Sequence, residues 1–271
     1  VRELEKGAES VDFDVDGPYE VEHLSRSVQS MVSTMRHLME DILRQEEEKR
    51  RSELDVLQSQ INPHFLYNTL DSVVWMTENG RTQEAVAMLT ALARFFRISL
   101  SKGSSIIPIG DELEHARNYL AIQKMRYKNK FFADISVEQG VERLYTVKLI
   151  IQPILENAIY HGMEYADGDG ELHIRAFREG ENMVIEVEDN GPGMPEQVVE
   201  QLLNPGISVS AARPGGTGIG LRNVHQRIQL TFGAAYGLTI RSEPDRGTVV
   251  RICLPALGEN EVRKYRREGE A

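Results

Sequence analysis

Three glycine-containing segments in the second half of the chain carry residue types suited to nucleotide binding: ILENAIYHG at 154–162, DNGPGM at 189–194 and GGTGIGLRNVHQRI at 215–228. In the third segment, Gly216, Gly218 and Gly220 lead directly into a helical pattern. A glycine loop that opens a helix points backbone amides at phosphate groups. The loop therefore suggests a triphosphate cradle, and taken alone a structural turn explains it equally well.

The other two segments supply polar side chains. Asp189 closes a strand pattern, so its carboxylate can accept a hydrogen bond from an exocyclic amine such as that of adenine, while Gly191 and Gly193 leave room for the base. Asn157 and His161 are four residues apart, on one face of a helix, and an amide oxygen is a suitable ligand for Mg²⁺ held mainly by phosphates and water. The plainer alternatives are an Asp-Asn turn and a solvent-facing helix.

Alternating apolar patterns predict the elements that position these segments. From about residue 131 five such runs predict strands, and helical patterns at 146–162, 195–203 and 220–232 separate them. The five runs are ADISVE, ELHIRAF, NMVIEVED, GLTIRSE and TVVRICL. They predict one mixed sheet covered by helices on a single face, followed by a charged tail that we expect to fray.

The sequence pattern of the first half of the chain predicts helices. Apolar residues recur in steps of three and four from Val21 to Ile42, which predicts a coiled-coil seam that a polar stretch at 44–53 interrupts. Leu66, Leu70, Val73 and Thr77 predict the buried face of a further helix after Pro63. At 100° per residue His64 falls about 200° from Leu66, away from that face.

A break at Gly80–Thr82 precedes a second amphipathic helix, so the two helices predict a hairpin. Its apolar positions are Ala85, Leu89, Leu92, Phe96 and Ser99. One hairpin buries only one face of each helix, and we therefore expect a symmetric dimer that forms a four-helix bundle.

The composition excludes several classes of protein. Lys and Arg number 31 against 42 Asp and Glu, a net charge of −11 that disfavours nucleic-acid binding. The single cysteine, Cys253, rules out an internal disulfide and fits a reducing compartment. The chain begins at Val1, has no signal peptide and has no run of about 18 apolar residues, so we expect a soluble piece of a longer protein.

Asn157, DNGPG, GTGIG and the closing pair Gly247–Thr248 resemble, in this order, the N, G1 and G2 boxes of the GHKL ATPase superfamily. LQSQINPHFLYNTLDSVVWM at 57–76 resembles the phosphoacceptor box of the LytS/YesM-type sensor histidine kinases. The resemblance includes RNYLAIQK at 117–124 and IIQPILENAIYHG at 150–162 and covers about residues 50 to 255. GPYEVEHLSRSVQSM at 17–31 is similar to the second half of a HAMP linker.

The resemblance implies a multidomain α and α/β chain, the cytoplasmic portion of a bacterial membrane protein whose transmembrane region would precede it. Residues 1–45 would be a partial HAMP-like linker and signalling helix, and 46–130 the dimerisation and histidine phosphotransfer helices. Residues 131–257 would form the GHKL (Bergerat-type) ATP-binding domain, an α/β two-layer sandwich, and 258–271 the charged tail.

The function implied is that of a sensor protein histidine kinase in a two-component system. Such a kinase binds Mg-ATP, autophosphorylates on His64 and passes the phosphoryl group to an aspartate of a response regulator, with dephosphorylation of the regulator as a further expected activity. A largely neutral imidazole offers the lone pair that attacks the γ-phosphoryl group. The implied partners are a second copy of the chain and the cognate regulator.

The family's site residues transfer to positions of this sequence. Asn157 would bind Mg²⁺, Asp189 would read adenine, and His161 would lie near the phosphates, with Thr248 near the base. The pocket glycines would be Gly191, Gly193, Gly216, Gly218 and Gly220, and residues 195–217 would form a lid.

The chain departs from many other histidine kinases at one position, because Phe65 follows His64 where those kinases carry an acidic proton acceptor. The base is therefore open, and Glu156 is the candidate by analogy with topoisomerase-type ATPases. Asn68, one turn after His64, could position a water for dephosphorylation of the regulator.

Two other functions remain as alternatives. A GHKL clamp or mismatch-repair type ATPase would need no phosphohistidine, and the hairpin that carries NPHFLYN argues against it. A degenerate scaffold would dimerise without catalysis, and intact Asn157, Asp189 and glycine boxes argue against that.

Overall fold

The computed structural model describes residues 63–99, 105–128, 130–163, 169–203 and 219–262, together with single positions between 23 and 39. The chain divides into two units, Val1–Pro63 and His64–Ala271. The described positions of the first unit are helical, and Met31 and Met35 are exposed there. The rest of the predicted seam and linker lies outside the described residues. Across the described ranges, no helix is both long enough and apolar enough to cross a bilayer.

Helices α1 (Pro63–Glu78) and α2 (Thr82–Ser99) form the predicted hairpin. Gly80, at φ +71°, permits the tight reversal between them. The rings of Phe65 and Phe95 lie 5.2 Å apart at the open end of the hairpin. Met76 packs with α2 residues near the turn. The hairpin prediction is therefore confirmed.

The predicted buried face of α1 is only partly confirmed for the single chain. Phe65, Thr69 and Met76 are the buried residues, whereas Leu70 is 40% exposed. Leu66 and Val73 of the predicted face are half-buried and pack against the core. The neighbouring helices of the same chain therefore cover a stripe centred on Phe65, beside the predicted one.

Helix α3 (Ile109–Arg126) packs against α2 and also contributes to the core of the following domain. Two short strands flank it in sequence, β1 (Ile106–Pro108) and β3 (Tyr145–Val147), and they pair antiparallel. The sequence analysis did not predict this two-stranded sheet, because strands of three residues are too short to show a period.

The main sheet has five strands: β2 (Phe131–Val137), β4 (Gly170–Glu179), β5 (Asn182–Asp189), β6 (Gly237–Glu243) and β7 (Gly247–Pro255). Their order in the sheet is β2-β4-β5-β7-β6. Strand β2 is parallel to β4, and the other neighbours are antiparallel, so the predicted mixed sheet is confirmed. Each of the five predicted runs forms one of these strands.

Helices cover one face of this sheet. They are α4 (Gln152–Asn157), which continues into a π-helical turn (Ala158–Met163), α5 (Glu196–Leu203) and α6 (Ile219–Phe232). On the opposite face, Arg175 and Arg251 both pair with Glu186. The alternation of buried apolar and exposed charged residues confirms the single covered face.

The end of the described chain differs from the expectation of a frayed tail. Residues 259–262 form a helical turn, and Val262 is only 1% exposed. The amide of Gly258 donates a hydrogen bond to Glu261 Oε2 at 2.7 Å. The expectation of fraying is wrong for these residues, since a buried valine and a capped turn hold them.

Candidate nucleotide and phosphoacceptor sites

The helix that carries Glu156 and Asn157 begins at a turn held by a buried carboxylate. Glu112 on α3 is fully buried, and it accepts hydrogen bonds from the amides of Leu149, Ile150 and Ile151 at 2.7–2.9 Å. These amides lie just before α4, where the first amides of a helix have no partner within the helix. Glu112 therefore fixes where α4 starts.

Asn157 has a defined amide orientation. Its Nδ2 donates to the carbonyl of Pro153 at 2.9 Å. Because a carbonyl can only accept, the atom facing Pro153 has to be the nitrogen, and the oxygen is the atom left for a ligand. This orientation suits an oxygen-ligated Mg²⁺.

Glu156 is half-buried next to Asn157, and its Oε1 accepts a hydrogen bond from Gln152 Nε2 at 2.8 Å. Burial raises the pKa of the Glu156 carboxyl above its ordinary value, and the hydrogen bond from Gln152 opposes that shift. A carboxylate with a raised pKa is a better proton acceptor near neutral pH.

Asp189, at the end of β5, lies directly opposite Thr248 of β7 in the sheet. Its Oδ1 accepts a hydrogen bond from the amide of Gly191 at 3.0 Å, and the amide of Thr248 also donates to the carboxylate. Desolvation raises the pKa of Asp189 to about 6, against the effect of these two bonds. The carboxylate is thus held in place while being costly to ionise.

The glycines after Asp189 serve the protein backbone. A Cβ on Gly191 would lie 2.6 Å from Gly162 Cα in the π-helical turn, and a Cβ on Gly193, at φ +62°, would collide with the carbonyl of Glu243. On the side where a Cβ would stand, the space is occupied by the π-helical turn and by the β6–β7 hairpin. That these glycines also leave room for a base stays a prediction.

Thr248 belongs to a network that joins the turn after β5 to the β6–β7 hairpin. Its Oγ1 lies 2.9 Å from Ser242 Oγ, and that hydroxyl accepts a hydrogen bond from the amide of Met194 at 2.8 Å. Thr248 therefore supports the Asp189 turn from the neighbouring strand.

Gly220 opens α6 next to α4, since a Cβ built on it would lie 3.5 Å from Pro153 Cβ. The predicted phosphate-loop residues Gly216 and Gly218 lie outside the described residues. His161 lies in the π-helical turn, and its side chain is likewise outside what the structure describes.

His64 and Asn68 form a separate pair on α1. His64 is exposed, and Asn68 Nδ2 lies 3.0 Å from its Nε2 and 3.2 Å from its Nδ1. Because the amide lies within hydrogen-bond distance of both ring nitrogens, either neutral tautomer of His64 can accept a hydrogen bond from it. Within the described residues, no hydrogen bond joins this pair to the nucleotide-binding residues.

The sequence analysis missed Tyr119, which connects the two groups through packing. Tyr119 is fully buried, its ring centroid lies 5.3 Å from that of Phe65, and its hydroxyl accepts a hydrogen bond from Gln123 at 2.8 Å. Burial raises the pKa of Tyr119 well above its ordinary value, and the nearby Glu156 charge raises it further. The RNYLAIQK motif contained this residue, but no spacing marked its role.

These residues fit a magnesium nucleotide. Asn157 offers an oriented amide oxygen, and Asp189 offers a carboxylate held by two amides. Gly162 brings those two elements into contact. The amide oxygen of Asn157 suits a hard cation, and the carboxylate of Asp189 suits a base that carries an amine.

Comparison with known proteins gives matches in both halves of the chain. A family model described as "Histidine kinase" matches residues 52–131. A second, described as "Histidine kinase-, DNA gyrase B-, and HSP90-like ATPase", matches residues 144–258. The two matches divide the chain at the same place as the change from helical to alternating sequence patterns.

Several curated relatives align over most of this chain. The sensor histidine kinase YesM of Bacillus subtilis (strain 168) is 34% identical over 236 residues, covering 87% of this chain and 39% of YesM. The sensor protein LytS of Bacillus anthracis is 32% identical, covering 89% of this chain and 40% of LytS. YwpD of Bacillus subtilis is 32% identical, covering 75% of this chain and 70% of YwpD. The chain thus spans less than half the length of YesM and LytS.

Proposed function

This chain belongs to the LytS/YesM-type sensor histidine kinases, and we propose that it uses Mg-ATP to phosphorylate its own His64 and then phosphorylates an aspartate of a response regulator. The observation that carries this proposal is the pairing of an exposed histidine on a helical hairpin with an oriented Asn157 and a buried Asp189 in one chain.

In the proposed reaction a ring nitrogen of His64 attacks the γ-phosphorus of ATP. A nitrogen–phosphorus bond forms, the bond to the bridging oxygen breaks, and ADP leaves. The imidazole loses its N–H proton to a base, so the product is a phosphoramidate whose ring is neutral and whose phosphoryl group keeps its negative charge. Phosphoryl transfer depends mainly on positioning and charge neutralisation, which Mg²⁺ supplies at the phosphates.

The chain's own residues hold the substrate. Asn157 would ligand the metal through its free amide oxygen, and Asp189 would accept a hydrogen bond from the adenine amine. Gly216, Gly218 and Gly220 would present amides to the phosphates at the start of α6, near His161. Thr248 would support Asp189 beside the base.

The test of the proposal is the chemistry of the label. We expect the chain, incubated with γ-labelled ATP and Mg²⁺, to acquire a label that acid removes and alkali leaves intact, as for a phosphoramidate. EDTA should prevent labelling. Release of free phosphate without protein labelling would favour a clamp-type ATPase, and no reaction in either assay would favour a non-catalytic scaffold.

We propose Glu156 as the base that accepts the His64 proton. Glu156→Gln is expected to slow autophosphorylation by about 100-fold while nucleotide affinity stays nearly intact, because the amide cannot take up the proton. Labelling rates at saturating ATP measure this effect. Glu114→Gln, an exposed substitution on α3, is the matched control. A rate equal to that of the control would remove Glu156 from the mechanism.

Asn68 is proposed to position a water when the kinase dephosphorylates its regulator. Asn68→Ala is expected to lower the dephosphorylation rate by about 10-fold, the effect of one lost hydrogen bond, with a smaller effect on autophosphorylation. Assays of both reactions with the same regulator compare the two. An equal loss of both activities would instead assign Asn68 to orienting the His64 ring.

We also propose that the chain acts as a homodimer built on the hairpin. The face of the hairpin left uncovered within the chain is apolar, with Leu70 and Val74 on α1 and Val86 and Leu89 on α2 at 40–57% exposure. A second copy would cover this face and complete a four-helix bundle. The HAMP-like residues 17–31 would connect the dimer to a membrane sensor region.

A further inference from the structure

The turn that starts α4 is held by an unusual concentration of donors on one carboxylate. Glu112 Oε2 accepts from the amide of Leu149 at 2.8 Å, and Oε1 accepts from the amides of Ile150 and Ile151 at 2.7 and 2.9 Å. The carboxylate is fully buried. Three successive amides converging on one anion form a backbone nest, which offsets the cost of burying that anion.

The backbone accepts strain to make this nest. Leu149 has φ +58°, in the left-handed region that residues with a Cβ atom rarely adopt. Such a conformation persists where the surroundings determine it. Here the carboxylate of Glu112 fixes the amide direction, and the Leu149 side chain is itself buried.

Arg227 on α6 binds the same turn from the other side. Its Nη2 donates to the carbonyls of Lys148 and Leu149, the latter at 2.9 Å. Its charge also attracts the Glu112 carboxylate. The turn before α4 therefore joins three helices. Its amides bind Glu112 of α3, its carbonyls bind Arg227 of α6, and α4 follows it directly.

We infer that Glu112 is a positioning residue for the metal side of the nucleotide site: it fixes, from helix α3, the start of the helix that carries Asn157. The inference rests on the proposed function, because it assigns Asn157 to the metal. Asn157 lies about two helical turns after the amides bound to Glu112, so a shift of the helix start moves its amide oxygen. Asp189 is on β5, and the amides that hold its carboxylate belong to Gly191 and Thr248, outside α4, so these hydrogen bonds remain.

The test compares ADP binding with and without metal. Glu112→Gln keeps the shape of the side chain but replaces one acceptor oxygen by an NH₂ group, so at least one amide loses its partner. We expect Mg-ADP affinity to fall by about 10-fold, the usual effect of a residue that orients a metal ligand, while ADP affinity in EDTA stays nearly unchanged. Titration calorimetry measures both affinities.

Hydrogen exchange in the nucleotide-free protein gives a second readout. The amides of Leu149–Ile151 and of α4 should exchange faster in Glu112→Gln, whereas those of β4 and β5 should not. Glu114→Gln, the same substitution at an exposed position of the same helix, is the matched control and should behave like the unsubstituted protein.

The outcomes separate the inference from the proposed function. If the unsubstituted protein binds no Mg-ADP, the proposed function fails. If it binds, an unchanged Mg-ADP affinity in Glu112→Gln overturns the inference, and so does an equal loss with and without Mg²⁺, which would mark general destabilisation. Should Glu112→Gln fail to fold, Arg227→Lys takes its place, because lysine keeps the charge but lacks the guanidinium group. Arg227→Lys must then show the same Mg-selective loss of ADP affinity, and a Mg-ADP affinity equal to that of the unsubstituted protein would overturn the inference.

Discussion

Substitution of His64 by Gln is expected to abolish labelling of the chain by γ-labelled ATP, a loss of at least about 1,000-fold, because glutamine offers no nucleophilic nitrogen. Nucleotide binding should be unchanged, since His64 lies on α1 and shares no hydrogen bond with the described nucleotide-binding residues. The position is exposed, so the free energy of unfolding should change by less than about 0.5 kcal/mol.

The control for this result has to be another histidine, because the chain contains seven. His173 on β4 is a suitable choice: it is partly exposed, and its Nε2 lies 3.6 Å from Glu171 Oε2. His173→Gln should label like the unsubstituted chain. Residual acid-labile label in His64→Gln would mean that a different histidine accepts the phosphoryl group.

Asp189→Asn is the second substitution with a large expected effect, and it acts on two properties in opposite directions. An asparagine presents an NH₂ donor where the adenine amine needs an acceptor. We expect nucleotide affinity to fall by about 100-fold, the value of a hydrogen bond to a charged group. Calorimetric titration with ADP measures it, and Asp134→Asn, an exposed site on β2, is the control. Equal affinities in both variants would exclude Asp189 from adenine recognition.

Without nucleotide, the same substitution should stabilise the fold at neutral pH. The pKa of Asp189 is raised from 3.8 to about 6 by desolvation, so the folded state holds its proton more tightly than the unfolded chain. The free energy of unfolding therefore falls as pH rises from about 4 to 6, by roughly 3 kcal/mol from this group. Asparagine has no carboxyl group to ionise, so the variant does not lose this stability as pH rises. Denaturant titrations should show a stability gap above pH 6 that disappears below pH 4; no gap at pH 7 would mean a well-solvated carboxyl.

The strands were predictable because a half-buried sheet imposes a period of two on the sequence. Leu172, Ile174 and Ala176 on β4 are buried in alternation, as the run ELHIRAF predicts. The buried face of α1 was not predictable in the same way. Apolar residues lie on more than one stripe of that helix, and periodicity cannot say which stripe the same chain covers.

Glu112 shows a second limit of pattern analysis. It lies between Ile109 and Leu113 on an apolar stripe, where its partners are backbone amides 37–39 residues further along the chain. Every residue except proline has a backbone amide, so the sequence does not show which amides bind a carboxylate. Pattern analysis therefore predicts that Glu112 is an ordinary exposed charge. The glycines after Asp189 pose the same difficulty, since the segments that need their small size come from the π-helical turn and the β6–β7 hairpin.

One hydrophobic core runs through the hairpin, α3 and the covered face of the main sheet, and includes Phe65, Leu92, Tyr119, Ile154 and Ile252. A chimaeric kinase joined at residues 130/131 would therefore place two unrelated surfaces against each other in the middle of that core. Exchange of the ATP-binding part between relatives has to carry α3 with it, together with the helical residues that pack on Tyr119.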